Sequence, residues 1–320
     1  MRIVISEQMP ATGMALLQSR PDIETAVLAE PSQAALASSL AHADAVIIVA
    51  EQPVLTAELI SGAYRLKVAA RMGAGTDNFA IPALTERRIP LLTTGATNAA
   101  AVAEHAFYLV LALAKRGPAR DRAIKAGGWP RGFGAMELAG ATCLIVGLGR
   151  IGREIARRAA AFDMRVVAFD PALSAEQASA LGISCAPTLN AALAAADVVI
   201  VACALTDETR GMIGARAFAA MRPTAFLINV ARGPLIDESA LADALVTGQI
   251  AGAGLDVMNV EPPDRQNPLL ARDDVVLTPH TASHVTSTYE RMGLVCARAV
   301  LDALDGRIDR ARVVNGAALV

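Results

Sequence analysis

Three residues in the second half of the chain carry side chains suited to holding an anion and moving a proton. Arg232 follows the run Phe226–Ala231, Glu261 comes shortly after Gly254–Val257, and His280 follows Val275–Pro279. Each run reads as a short buried strand, and in an open α/β sheet the carboxyl ends of the strands form the ligand crevice. A guanidinium grips a carboxylate and a neighbouring carbonyl oxygen through its fork of donors. An imidazolium delivers a proton, and a carboxylate beside it favours the charged ring and fixes its orientation. That set matches what a small 2-oxo acid needs when a hydride arrives at C2. Taken singly, each residue has a plainer reading. Arg232 could bridge a loop, Glu261 before Pro262-Pro263 could be a solvated charge, and His280 could be a hydrogen-bonded loop histidine. Their shared placement after successive strands favours the joint role.

The hydride carrier has its own signal. Gly147-Leu148-Gly149-Arg150-Ile151-Gly152 is a G-x-G-x-x-G that follows the strand pattern Cys143–Val146 and opens the helix pattern Ile151–Ala161. Gly147 permits the tight turn, Gly149 lets the backbone approach a pyrophosphate, and Gly152 lets helix and strand pack closely. The helix N-terminus, with Arg150 and Ile151 at its head, offers N–H donors and partial positive charge to the phosphates. Asp170 ends the next strand pattern, about 20 residues beyond Gly149, where a carboxylate accepts hydrogen bonds from the adenosine ribose. It would repel a 2′-phosphate and no Arg follows it directly, so NAD is favoured over NADP.

Stepping outward from these residues, short β-branched runs alternate with Ala/Leu-rich segments of helical period. Strands are expected at Ile3–Ser6, Ala45–Val49 and Lys67–Ala70, with helices near 11–19, 31–41 and 55–62 between them. A second series follows at Thr142–Val146, Arg165–Phe169, Val198–Ala202, Ala225–Val230, Ala253–Asp256 and Val275–Thr278, with helices starting near Ile151, Thr188, Ala215 and Asp237. Alternation of this kind argues for parallel sheets covered on both faces. The expected fold is α/β, with two doubly wound parallel-sheet domains of Rossmann or flavodoxin type and a cleft between them. Residues 1–98 and 284–320 would form a substrate domain and 99–283 a dinucleotide-binding domain. Asn98 reads as the N-cap of a long helix, Ala99 to Lys115, and 284–305 as one more helical segment returning to the first domain.

Composition narrows the partners. The 320 residues are 54% hydrophobic and 19% charged, enough apolar material for large cores. With 29 basic and 31 acidic residues the net charge is −2, which gives no electrostatic reason to expect nucleic acid or an anionic membrane. Cys143, Cys185, Cys203 and Cys296 are dispersed and mostly apolar in setting, so they read as free buried thiols in a reducing compartment. The N-terminus lacks the apolar region of a signal peptide, no span reads as transmembrane, and no metal site is expected. A cytoplasmic protein is the expectation.

The chain resembles the D-isomer-specific 2-hydroxyacid dehydrogenases, within them the branch that includes phosphoglycerate dehydrogenases and hydroxypyruvate reductases. The resemblance runs from about Lys67 to Met292 and is weaker before that. It rests on Arg71–Asn78, Asn98–Glu104, Val146–Gly152, Asn229–Gly233, Asp256-Val257 with Glu261-Pro262, and Thr278-Pro279-His280. The resemblance implies that Arg232 binds the substrate carboxylate and carbonyl oxygen, and that His280 is the general acid/base paired with Glu261. It also implies that Asp256 holds the nicotinamide carboxamide, while Thr206 and the backbone at Val230 and Ala231 line the cofactor. Arg71, Met72, Gly73, Ala74 and Gly75 would meet the substrate, the Gly73–Gly75 turn as an anion-binding nest. Whether Arg71 reads a second anionic group, as in 3-phosphoglycerate, or points away and leaves glyoxylate or hydroxypyruvate as substrate, stays open here. Members are usually homodimers through the segment after Asn98. Ala204 departs from the proline usual before Leu205-Thr206, His284 has no assigned role, and His42 and His105 read as structural. The long regulatory extension of some phosphoglycerate dehydrogenases is not expected. The alternative from another class is an NAD(H)-sensing regulator of the corepressor type on the same fold. Formate or phosphite oxidation is a third reading that no residue here recommends.

Overall fold

Two parallel sheets organise the chain in the computed structural model, which describes residues 1–132 and 134–319. The first contains β1 (Arg2–Ile5), β2 (Glu24–Val27), β3 (Ala45–Ile48), β4 (Val68–Arg71) and β5 (Leu91–Thr93), in the order β2-β1-β3-β4-β5. The second contains β6 (Thr142–Val146), β7 (Arg165–Phe169), β8 (Ser184–Cys185), β9 (Val198–Val201), β10 (Phe226–Asn229), β11 (Gly252–Leu255) and β12 (Val275–Leu277), in the order β12-β11-β10-β9-β6-β7-β8. Every strand pair within them is parallel. The chain divides into two compact units, 1–98 with 284–320, and 99–283.

Both sheets are apolar on both faces, because successive side chains of a strand point to opposite sides and each side meets helices. In the first sheet Ile3 and Ile5 join one core with Met14, Leu17, Met292 and Val300. Val4 between them joins another with Leu36, Leu40 and Ile60. In the second sheet Cys143, Ile145, Val198 and Ile200 pack with Leu109, Val110 and Ile155. Their neighbours Leu144, Val146, Val199 and Val201 pack with Leu193, Phe218 and Leu241. The nearly continuous apolar strands of the sequence therefore mark central positions, as the pattern predicts.

The helix Ala99–Ala114 belongs to the first of these two cores and the helix Thr286–Leu304 to the first sheet's core. Several sequence expectations shift by a residue or two at strand and helix ends. Others were not legible. β2 and β8 are edge strands with little apolar content, and β5 is three residues long. The helices Ile81–Glu86, Gly117–Lys125 and Ala175–Ser179 also escape the pattern, because each is short and carries too few apolar positions to show a period. Asn98 does not act as the expected side-chain N-cap: its Oδ1 is buried without a hydrogen-bond partner. No helix is long and apolar enough, among the described residues, to cross a membrane.

Candidate active site

In the second unit Arg232, Glu261 and His280 follow the ends of β10, β11 and β12. Asn229, the last residue of β10, is fully buried, and its side chain shapes the turn that follows. Its Oδ1 accepts from the Ala231 N–H at 3.0 Å and its Nδ2 donates to the Arg232 carbonyl at 2.8 Å. That clamp sets the direction in which Arg232 leaves the sheet. Arg232 is half-buried, with Nη1 donating to the Ala231 carbonyl at 2.8 Å. Val230, earlier in the same turn, is buried.

His280 is held by its backbone before it is held by its side chain. Its φ of 54° lies in the left-handed region, a strained position for a residue with a Cβ. The strain is offset by the His280 N–H, which donates to the Asp256 carbonyl at 2.7 Å and the Thr278 carbonyl at 3.1 Å. The Asp256 carboxylate braces the same turn. It accepts from Thr278 Oγ1 at 2.6 Å, from the Thr281 N–H at 2.9 Å and from the Ala282 N–H at 3.0 Å. His105 completes the network, with Nε2 2.8 Å from Thr278 Oγ1 and 3.3 Å from Asp256 Oδ1. Burial raises the Asp256 carboxyl, but the hydrogen bonds from His105, Thr278, Thr281 and Ala282 outweigh it and leave it below the ordinary carboxylate value. His105 is thus structural in a specific sense: it fixes the support under His280.

Glu261 faces the imidazole. Its Oε2 lies 2.7 Å from His280 Nδ1, and its Oε1 accepts from the Met258 N–H at 2.9 Å. Burial pushes the Glu261 carboxyl up; the hydrogen bonds of His280 and Met258 and the charges of His280 and Arg232 pull it down further, and the net shift is downward. The carboxylate is therefore ionised at neutral pH. With Nδ1 committed to Glu261, proton exchange falls to Nε2.

The glycine loop fits a dinucleotide. Gly147 has φ +94°, and a Cβ there would lie 2.6 Å from the Cys203 Cα. A Cβ on Gly152 would lie 2.1 Å from the Gly147 carbonyl oxygen, so helix and strand can meet this closely only without one. A Cβ on Gly149 would meet nothing within 4 Å, which leaves its face open for a phosphate. The helix runs Arg150–Ala161, and its head is exposed at Arg150 and half-buried at Ile151. Asp170, after β7, ties this loop down: Oδ2 accepts from the Leu148 N–H at 2.8 Å and Oδ1 from the Ala172 N–H at 2.9 Å. Thr206 is exposed in a turn where its N–H donates to Thr209 Oγ1 at 2.7 Å. The thiols near the strands are inert: burial pushes Cys203 up to about 11 and Cys143 up to about 12.

The first unit carries the other expected residues. At the expected Gly73–Gly75 turn, the Thr94 N–H donates to the Gly73 carbonyl at 3.1 Å, which ties the turn to the chain after β5. Met72 does not point into that turn. Its side chain is 2% exposed in the core, and its N–H completes the sheet by donating to the Ile48 carbonyl at 3.0 Å. Arg71 ends β4, is 5% exposed, and its Nη2 lies 2.6 Å from Glu51 Oε1. Glu51 was not a sequence candidate, because it stands in a loop with no motif around it. Asn229 likewise drew attention only as part of a matching stretch, since a buried asparagine has no chemistry of its own to advertise.

Residues 107–282 match the family described as D-isomer specific 2-hydroxyacid dehydrogenase, NAD binding domain. The chain belongs to this family. A D-3-phosphoglycerate dehydrogenase of Archaeoglobus fulgidus is 40% identical over 261 residues, covering 81% of this chain and 49% of that protein. The chain spans about half the length of the curated relatives it matches. Among solved structures, a Thermus thermophilus protein superposes with a TM-score of 0.89 at 32% identity, over 98% of this chain and all of the other. A D-lactate dehydrogenase of Aquifex aeolicus, solved with NAD and lactic acid, gives a TM-score of 0.88 at 25% identity over 99% of both chains. The second unit is thus the family's NAD-binding domain, and the family relation agrees with the loop geometry at Gly147, Gly149, Gly152 and Asp170.

Proposed function

We propose that the protein is an NAD-dependent dehydrogenase that interconverts a small 2-hydroxy acid and its 2-oxo acid. The observation that carries this reading is the His280–Glu261 pair, 2.7 Å apart, on the same sheet ends that hold Arg232. When bound, NAD supplies or accepts the hydride at C2. The chain's own residues handle charge and protons. Arg232 holds the substrate carboxylate and polarises the carbonyl oxygen. His280, protonated at Nε2, gives its proton to that oxygen in reduction and takes it back in oxidation. Glu261 keeps Nδ1 protonated and stabilises the imidazolium, so it acts as a positioning and charge-stabilising residue. Asp256 braces the turn that carries His280, and Asp170 meets the adenosine ribose. In the first unit, the backbone N–H groups of the Gly73–Gly75 turn would suit an anion.

We also propose a homodimer formed through the segment after Asn98, where Tyr108, Ile124 and Trp129 are 51%, 50% and 71% exposed. Four free thiols fit a reducing compartment such as the cytoplasm.

The test is NADH oxidation by purified protein against glyoxylate, hydroxypyruvate, pyruvate and 3-phosphohydroxypyruvate. Turnover of at least one is expected, and His280→Ala should lower it by about 10²–10⁴-fold with NADH binding retained. Tight NADH binding with no turnover of any 2-oxo acid would refute the enzyme reading in favour of the sensing role.

A further inference from the structure

The ends of β1, β3 and β4, neighbours in the first sheet, carry Glu7, Glu51 and Arg71. Arg71 is the cation that would read a second anionic group on a substrate. Its guanidinium is already engaged on several sides. Nη1 donates to the Val49 carbonyl and, at 3.4 Å, to the Ile48 carbonyl, while Nη2 pairs with Glu51 at 2.6 Å. The Glu51 backbone is fixed as well. Asn78 Nδ2 donates to the Ala50 carbonyl at 3.2 Å and the Glu51 carbonyl at 3.1 Å. The ion pair is therefore not a chance meeting of two mobile side chains. Arg71 is 6% and Glu51 43% exposed at the side chain, so solvent approaches the pair from the acid's side.

Two further titratable groups of the first unit stand near the pair. Half-buried Glu7 lies within electrostatic reach of Arg71, Glu51 and His284; burial raises its carboxyl above the ordinary value, Glu51 adds to that, and Arg71 and His284 oppose it. His284 is exposed, with its ring 6.2 Å from the Tyr289 ring. Within the first unit Glu7 and Glu51 thus share Arg71 as a counter-charge. Gly73 lies directly beside Arg71, where a Cβ would be 3.5 Å from the guanidinium carbon. The Gly73–Gly75 turn therefore begins two residues beyond a cation that Glu51 already pairs.

We infer that Glu51 is a specificity-determining residue: it occupies Arg71, so that the protein accepts 2-hydroxy and 2-oxo acids whose remaining substituent is uncharged or cationic and discriminates against those bearing a phosphate or sulfonate. This rests on the dehydrogenase reading for its substrate class but not for its physics. A dianionic phosphate brought to this surface meets the exposed carboxylate of Glu51 before it meets Arg71, and like-charge juxtaposition in a partly desolvated site is unfavourable. The single carboxylate common to all candidate substrates is held by Arg232 in either case.

The experiment compares wild type, Glu51→Gln and Glu51→Asp as full chains. Calorimetric titration of NAD-loaded protein with D-glycerate and with 3-phosphoglycerate gives affinities, and turnover of hydroxypyruvate and 3-phosphohydroxypyruvate gives kcat/KM. Wild type should favour the unphosphorylated member of each pair by at least about tenfold. Glu51→Gln should move the ratio by about 10–100-fold toward the phosphorylated member, and Glu51→Asp should keep the wild-type preference. A merely structural role would weaken both ligands together and leave the ratio alone, which would overturn the inference. Wild-type preference for the phosphorylated ligand, or no binding of either ligand by any of the three proteins, would overturn it as well. If glycerate binds, the ratio shifts in Glu51→Gln, and neither 2-oxo acid turns over, the charge selectivity stands and the dehydrogenase reading falls.

Discussion

Replacing Glu261 with Gln removes one charge and little else. The amide oxygen still accepts from the Met258 N–H, which now lies 2.9 Å from Oε1, and the side chain keeps its length. What is lost is the anion 2.7 Å from His280 Nδ1. Two unit charges about 4 Å apart interact by about 4 kcal/mol at an effective dielectric constant near 20. The side chains of His280 and Glu261 are 26% and 36% exposed, so solvent screening reduces this. A loss of about 1.4–2.8 kcal/mol in imidazolium stability is the working figure. Reduction needs the protonated ring, so kcat/KM for the 2-oxo acid is high at low pH and falls as pH rises through the titration of His280. Without the carboxylate that fall moves to lower pH. At neutral pH the variant should lose about 10–100-fold, and most of the loss should return on acidification. The assay is initial-rate NADH oxidation at saturating cofactor from about pH 5 to about pH 9. A loss equal at every pH, with the falling limb unmoved, would refute the argument and leave Glu261 a role in shape alone.

Other outcomes follow from the same geometry. Gly152→Ala places a Cβ 2.1 Å from the Gly147 carbonyl oxygen, so the loop must open. NADH affinity measured by fluorescence titration should collapse, and the melting temperature should fall by several degrees, at about 2–4 °C per kcal/mol for a unit of this size. Asp170→Ala should weaken NADH by more than NADPH in parallel KM measurements, because it removes the ribose acceptor and a like charge to the 2′-phosphate at once; an unchanged preference would mean that the ribose lies elsewhere. Asp256, lowered in the folded state, contributes stability that is fully present above its ordinary value of 3.8 and is lost as pH falls through its lower folded value. Urea unfolding midpoints should therefore drop on acidification in that range, and Asp256→Asn should flatten the drop while lowering stability at neutral pH.

The elements that build the sheets were legible because their signals are local. Val198–Val201 reads as a buried parallel strand from its own composition, and Gly147–Gly152 reads as a phosphate turn because its neighbours on either side are a strand and a helix pattern. Arg232, Glu261 and His280 could be picked out because each follows such a strand. Edge strands such as β8 gave no signal, since burial on neither face demands apolar residues.

What tertiary structure decided are the partnerships across long stretches of chain. His105 reaches Thr278 and Asp256 only because the helix after Asn98 packs into the core beneath β10–β12, and no spacing in the sequence foretells it. Whether Arg71 is available to an anion stays open in the sequence; β3 and β4 side by side bring Glu51 within 2.6 Å of its guanidinium. A side chain's type is written in the sequence, and with it the chemistry it can do. Whether its charge is available is set by the non-local neighbours that neutralise it, and those exist only once the strands are in register.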